Sequence, residues 1–105
     1  MKLYTIDNQF IEEVIYLPKN FTGIVEYSSG TKEWIVNGKI HRIDGPAWEG
    51  VDGSKVWYVN GELHRLDGPA IEYSNGIKLW HVDNKEYTEE QCKLLHSIMK
   101  LKGLI

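Results

Sequence analysis

A spacing of 23 residues constrains this chain more than any other feature in it. Gly30, Gly53 and Gly76 are 23 apart, as are Trp34, Trp57 and Trp80, and Val36, Val59 and Val82. His41-Arg42-Ile43-Asp44-Gly45-Pro46-Ala47 returns as His64-Arg65-Leu66-Asp67-Gly68-Pro69-Ala70. In 105 residues, self-similarity of this kind makes the chain a short array of one supersecondary unit.

Each unit reads as a β-hairpin. Asn37-Gly38 and Asn60-Gly61 lie between alternating apolar runs, and Asp83-Asn84 holds the same place in the third copy. Such pairs tolerate the positive φ that both central residues of a tight hairpin turn require. Ser29-Gly30, Asp52-Gly53 and Asn75-Gly76 supply a second turn at the other edge. Two turns per period predict an antiparallel meander with two strands per unit. Lys39 to Glu49 is then one returning strand, interrupted at Asp44-Gly45-Pro46, where Gly permits a bulge and Pro cannot donate to a ladder.

The pattern reaches both ends in altered form. Phe21-Thr22-Gly23-Ile24-Val25-Glu26 stands one period before Asp44-Gly45-Pro46-Ala47-Trp48-Glu49. Leu3 to Asn8 is similar to Leu79 to Asn84, one period plus seven residues earlier than the next turn. That places an insertion within Phe10 to Asn20, near Pro18. From Thr88 the periodicity becomes helical. Thr88-Glu89-Glu90-Gln91 is a capping box, and Cys92, Leu94, Leu95, Ile98, Met99 and Leu101 fall on one broad arc. Gly103 is the stop.

The expected fold is mainly β: a single-layer, curved antiparallel meander of repeated hairpins with a capping C-terminal helix. We divide it as one domain, 1–105, with an altered N-terminal unit at 1–23, hairpin repeats at 24–87 and the helix at 88–105. Alternation puts Trp34, Trp57 and Trp80 on one face with their Val partners. Ile40 and Leu63 are candidates for that face, and Ile35, Tyr58 and His81 lie on the other.

Two sets of residues are candidates for binding. The first is the face bearing Ile35, Tyr58 and His81 with Trp48 and Tyr73 nearby, where the copies differ from one another. The second is the doubled His-Arg-x-Asp. His41 and His64 should stack roughly 10 Å apart, and Arg42 with Arg65 would offer a cationic pair to a phosphate, a nucleotide or an acidic loop. The same residues equally serve to hold a bulge that every copy needs, with Asp accepting backbone amides and Arg bracing the turn. Zinc at His41, His64 and His81 lacks close ligand spacing, so no metal and no cofactor is expected. Cys92, with His96 one turn on, lies on the apolar arc, a packing position for a free cysteine, so no catalysis is expected either.

With these residues in hand, the chain resembles MORN-repeat proteins. Trp57-Tyr58-Val59-Asn60-Gly61-Glu62-Leu63-His64-Arg65-Leu66-Asp67-Gly68-Pro69-Ala70 is similar to a repeat of uncharacterised proteins from tailed bacteriophages, large DNA viruses and bacteria. The likeness covers about Ile24 to Tyr87. His41 to Gly45 and His64 to Gly68 depart from the wider pattern, which has Gly shortly after the turn. The resemblance implies an interaction scaffold, and in a phage a modulator or inhibitor of a host protein. A net charge of −3 argues against general nucleic-acid binding, and no basic patch favours a membrane. One cysteine excludes an intrachain disulfide and fits a reducing cytoplasm, the host's if the chain is phage-encoded. Met1 to Asp7 lacks the apolar core of a signal peptide. The expected partner is a protein, with a homodimer through the C-terminal helix as a further arrangement.

Overall fold

The computed structural model describes residues 1–105. It contains twelve strands and one helix: β1 (Lys2–Tyr4), β2 (Phe10–Glu13), β3 (Gly23–Glu26), β4 (Lys32–Val36), β5 (Lys39–Ile40), β6 (Trp48–Glu49), β7 (Lys55–Val56), β8 (Tyr58–Val59), β9 (Glu62–Leu63), β10 (Ile71–Glu72), β11 (Lys78–Val82), β12 (Lys85–Tyr87) and α1 (Glu89–Leu101). All pairings are antiparallel, and the sheet is not closed into a barrel.

The returning strand of each unit is broken where Asp-Gly-Pro stands. β5 pairs with the far half of β4, Ile35 opposite Ile40, while β6 pairs with its near half, Glu33 opposite Trp48. The second unit repeats this, with β8 and β9 paired to each other beyond the break and β7 paired to β10 before it. Asn37, Asn60 and Asp83 all have positive φ, 49°, 51° and 49°, as the tight turns demand.

One cross-strand row holds the units together. Trp34 donates its N–H to the Ala47 carbonyl at 2.8 Å, and Trp57 donates to the Ala70 carbonyl at 2.7 Å. The register of β10 and β11 then sets Trp80 opposite Ala70. Large and small side chains therefore alternate across the face, and both alanines are fully buried. Ile40 lies opposite Ile35, so it joins the Ile35 face; Leu63 lies opposite Tyr58 and does the same. Both had been candidates for the Trp face. The two-residue turn sets this: Val36 pairs with Lys39 and Val59 with Glu62, so the next residue of each returning strand meets Ile35 or Tyr58 before the break is reached.

The N-terminal hairpin departs from the simple meander. β1 sits between β2 and β3, so the chain must cross over β1 to get from one to the other. Residues 14–22 make that crossing and overlap the stretch from Phe10 to Asn20 in which the sequence places an insertion. Val14, Leu17 and Phe21 pack on the core of Leu3, Val25 and Ile35, together with Met1, Tyr27 and Ile40. The crossover thus supplies the cover that a single-layer sheet needs. Burying each of Leu3, Val25 and Ile35 contributes about 1.5–3 kcal/mol. The first turn is also of a different kind from Asp83-Asn84. Only Asn8 has positive φ, and Thr5 N–H to Gln9 carbonyl closes a three-residue loop.

Helix α1 starts as the sequence predicts. Thr88 accepts from the Gln91 amide at 3.1 Å, and the Gln91 side chain accepts from the Thr88 amide at 2.9 Å. The helix packs on β11 through a narrow strip that includes Cys92, which is fully buried. Leu95 and Met99 are half-buried beside Cys92, while Leu94, Ile98 and Leu101 face outward, 62%, 40% and 89% exposed. No helix is long and apolar enough to cross a membrane.

The second-edge turns also carry a link between units. Asp52 accepts from the Ser54 amide and hydroxyl and from the Ser74 hydroxyl of the next unit, at 3.0, 3.1 and 3.2 Å. These bonds, the Ser54 amide first, hold the Asp52 carboxyl below the usual carboxylate range. A depressed folded-state value contributes stability that is complete above the ordinary range and is lost as pH falls through the folded value. The urea midpoint of the wild-type protein should therefore drop more steeply than that of Asp52→Asn between about pH 5 and pH 2.5. Parallel curves for the two proteins would remove Asp52 from the acid response.

Candidate functional site

The doubled His-Arg-x-Asp-Gly-Pro segment forms two copies of one corner. In the first, the Arg42 guanidinium lies 4.1 Å from the centroid of Trp34, and in the second Arg65 lies 3.9 Å from that of Trp57. Each Nε donates to the Asp two residues on at 3.1 Å, and each guanidinium NH donates to the Pro carbonyl four residues on, also at 3.1 Å. The intervening glycine is required by close approach: a Cβ on Gly68 would stand 2.5 Å from the Arg65 guanidinium carbon, and one on Gly45 would stand 2.9 Å from that of Arg42. The planar ion is held between an indole face and a glycine backbone, with carbonyl and carboxylate at its edge. Lysine has no group that fits this slot.

The histidines bridge neighbouring units. His41 Nδ1 accepts from the Asn60 amide at 2.9 Å, and His64 Nδ1 accepts from the Asp83 amide at 3.1 Å. His64 Nδ1 also stands 3.1 Å from the Asp83 carboxylate, so that residue meets the imidazole through both its amide and its side chain. In the first unit the Thr22 hydroxyl accepts from the Asn37 amide at 3.0 Å and takes the place of the histidine. Likewise the Phe21 carbonyl receives the Gly38 amide as Ile40 and Leu63 receive those of Gly61 and Asn84. The Ile24-Val25-Glu26 strand keeps its register with Ala47-Trp48-Glu49, while Phe21 and Thr22 match Ile40 and His41. The first unit therefore lacks the four residues that make an Arg corner.

These geometries decide how the sequence candidates are used. Arg42 and Arg65 brace the corners and His41 and His64 bridge the units, and Arg42, His64 and Arg65 also line one groove of about 500 Å³ beside Trp57. The other candidate face is only partly a surface. Ile35 and His81 are buried, 3% and 9% exposed, because that face carries the core of the N-terminal units and the region of β11 beside α1. They cannot contact a partner. Trp48 and Tyr58 are half-buried and Tyr73 is exposed, so these three keep access to solvent. Burial, then the charge of Glu33 and that of Tyr73, pushes the Tyr58 phenol up. Burial and a hydrogen bond to Glu33 hold Tyr27 up to about 12.

Burial pushes the Cys92 thiol up, the opposite of what a reactive thiolate requires. No three His, Cys, Asp or Glu side chains converge as metal ligands. His81 Nδ1 is buried with no hydrogen-bond partner.

Two features at the C-terminal side were not picked out from the sequence. One is the outward strip of α1, where Tyr87, Gln91, Leu94, Leu95 and Ile98 line an apolar groove of about 240 Å³. The other is a groove of about 680 Å³ over Trp80, bounded by Asp67, Pro69, Lys78, Glu86, Tyr87 and Glu89. The signal for the second was present in the sequence: Thr88 stands 46 residues after Arg42 and 23 after Arg65, so the third Trp has no Arg of its own. Comparison with protein-family models, with curated proteins and with solved structures finds no match. The geometry alone carries the functional reading.

Proposed function

We propose that this chain is a non-catalytic protein-interaction module whose contact surface is its C-terminal side. The observation that carries this is the strip of Leu94, Ile98 and Leu101, which α1 presents to solvent while only its opposite side packs on β11. Apolar side chains grouped this way on a small protein mark an interaction site more often than scattered ones do. A helix face with anchors at these spacings fits an apolar groove or another helix. The likeness to repeat proteins of bacteriophages makes a host protein the class of partner, with modulation or inhibition as the role. Trp48, Tyr58 and Tyr73 form a separate accessible set on the sheet.

The test replaces Leu94 and Ile98 by glutamate together. Both are exposed, so the circular dichroism spectrum should not change, while capture of a protein partner should weaken at least about tenfold, in line with the loss of central apolar anchors. Tyr58→Ala serves as the comparison. Undiminished capture by the double variant, with loss in Tyr58→Ala, would move the surface to the sheet. Sedimentation of the purified protein separates a partner from a second copy: a dimer abolished by the double variant would make self-association the use of the strip.

A further inference from the structure

We propose that the groove over Trp80 is a receptor for an arginine side chain supplied by the protein partner. The inference rests on the interaction reading above and names the chemistry that one part of that surface recognises. Its basis is the chain's own architecture. Trp34, Trp57 and Trp80 occupy one row at equivalent positions, and the first two each carry a guanidinium stacked at about 4 Å. No cation of the chain stacks on Trp80. Thr88 stands where the third Arg would be and caps α1 instead, so the corner is replaced by the start of a helix.

The groove carries carboxylates beside the open ring. Glu86, Glu89 and Asp67 line it, against Lys78 and Arg65. Arg65 is already held by Trp57, Asp67 and the Pro69 carbonyl, and Glu89 is paired with Lys93 at 3.0 Å. Glu86 lies opposite His81 in the β11–β12 ladder and so shares the His81 face; the carboxylates at the edge of Trp80 are Asp67 and Glu89, and the Glu89–Lys93 pair is exposed and weak enough to yield to an incoming guanidinium. A helix start alone repels a cation, but the first turn of α1 carries Glu89 and Glu90, which reverses the local sign. The flat fork of arginine suits an indole face with a carboxylate at its edge, as the two internal copies display. The ligand must come from another molecule. The chain contains two arginines, and both are already stacked. The Trp80 groove and the apolar groove of α1 share Tyr87, so one segment carrying an arginine beside an apolar residue would span both.

Titration of the full chain with N-acetyl-arginine amide, followed by the indole N–H resonances, tests this. The Trp80 resonance should move with a midpoint of ~1–10 mM, the range of so small a ligand. N-acetyl-lysine amide should bind about fivefold more weakly, and Glu89→Gln should weaken the arginine titration. Trp34 and Trp57, each already stacked by a guanidinium of the chain, should respond less. The proposal is overturned if Trp80 does not move, if all the indoles move alike, or if lysine matches arginine. The titration contains no protein partner, so its failure leaves the interaction reading intact. Loss of that reading through the Leu94 and Ile98 variant leaves the titration unaffected.

Discussion

Arg65→Ala is expected to destabilise the protein by about 2–3 kcal/mol, with Arg65→Lys recovering less than half of the loss. The stack on Trp57 contributes about 1–2 kcal/mol when partly desolvated. The charged hydrogen bond to the Pro69 carbonyl adds about 1.5 kcal/mol, and its removal leaves that carbonyl without its donor. The Asp67 carboxylate is well exposed, so its ion pair with Arg65 adds little. Lysine restores a charge but neither the flat stack nor the paired edge donors. Urea denaturation followed by tryptophan fluorescence measures the loss, and a Trp57→Ala, Arg65→Ala cycle isolates the coupling. If Arg65 were a ligand-binding residue instead, its removal would leave the urea midpoint in place, and millimolar phosphate would raise the melting temperature of the wild type. Neither is expected.

Gly23→Ala should cost still more, at least about 3 kcal/mol, although it adds one methyl group. Gly23 has φ +152°, and a Cβ there would stand 2.3 Å from the Tyr4 carbonyl oxygen and 2.6 Å from the Phe21 ring. The first contact is with backbone held in the β1–β3 ladder, so a side-chain rotation cannot relieve it. The second is with a residue packed on the core of Leu3, Val25 and Ile35. Relief therefore requires β1 and the crossover to separate. A thermal melt should show a large drop in midpoint. Gly53→Ala is the control, since a Cβ at Gly53 meets nothing within 4 Å and only its φ of +91° resists the change. Equal losses for the two variants would show that backbone conformation, rather than the close approach, sets the cost at Gly23.

The corner residues illustrate how much of this molecule could be read from its sequence. Repetition of His-Arg-x-Asp-Gly-Pro was visible, and so was its use as a brace, because a structural need that recurs in each unit selects the same residues each time. Which ring each arginine covers was not visible, since Arg42 meets Trp34 through the fold of a strand pair eight residues apart. The face of Ile35 and His81 was misread as a surface for a related reason. Alternation separates two faces of a strand but does not say which one the N-terminal crossover and α1 will cover. The sequence shows the apolar arc of α1 and its use as a cap, but not how much of that arc the sheet covers. A helix packed along a single strand buries a narrow strip, and Leu94, Ile98 and Leu101 lie behind it.

The 23-residue spacing determined the hairpins, their turns and the broken returning strand, and the Thr88–Gln91 capping box with the helical period after it determined the helix, because each depends on backbone preferences that a few neighbouring residues fix. The tertiary structure alone decided that β1 lies between β2 and β3, that the inserted segment covers the core, and that the third tryptophan is left open. Those outcomes depend on which distant segments pack together, and local preference carries no record of a partner many residues away.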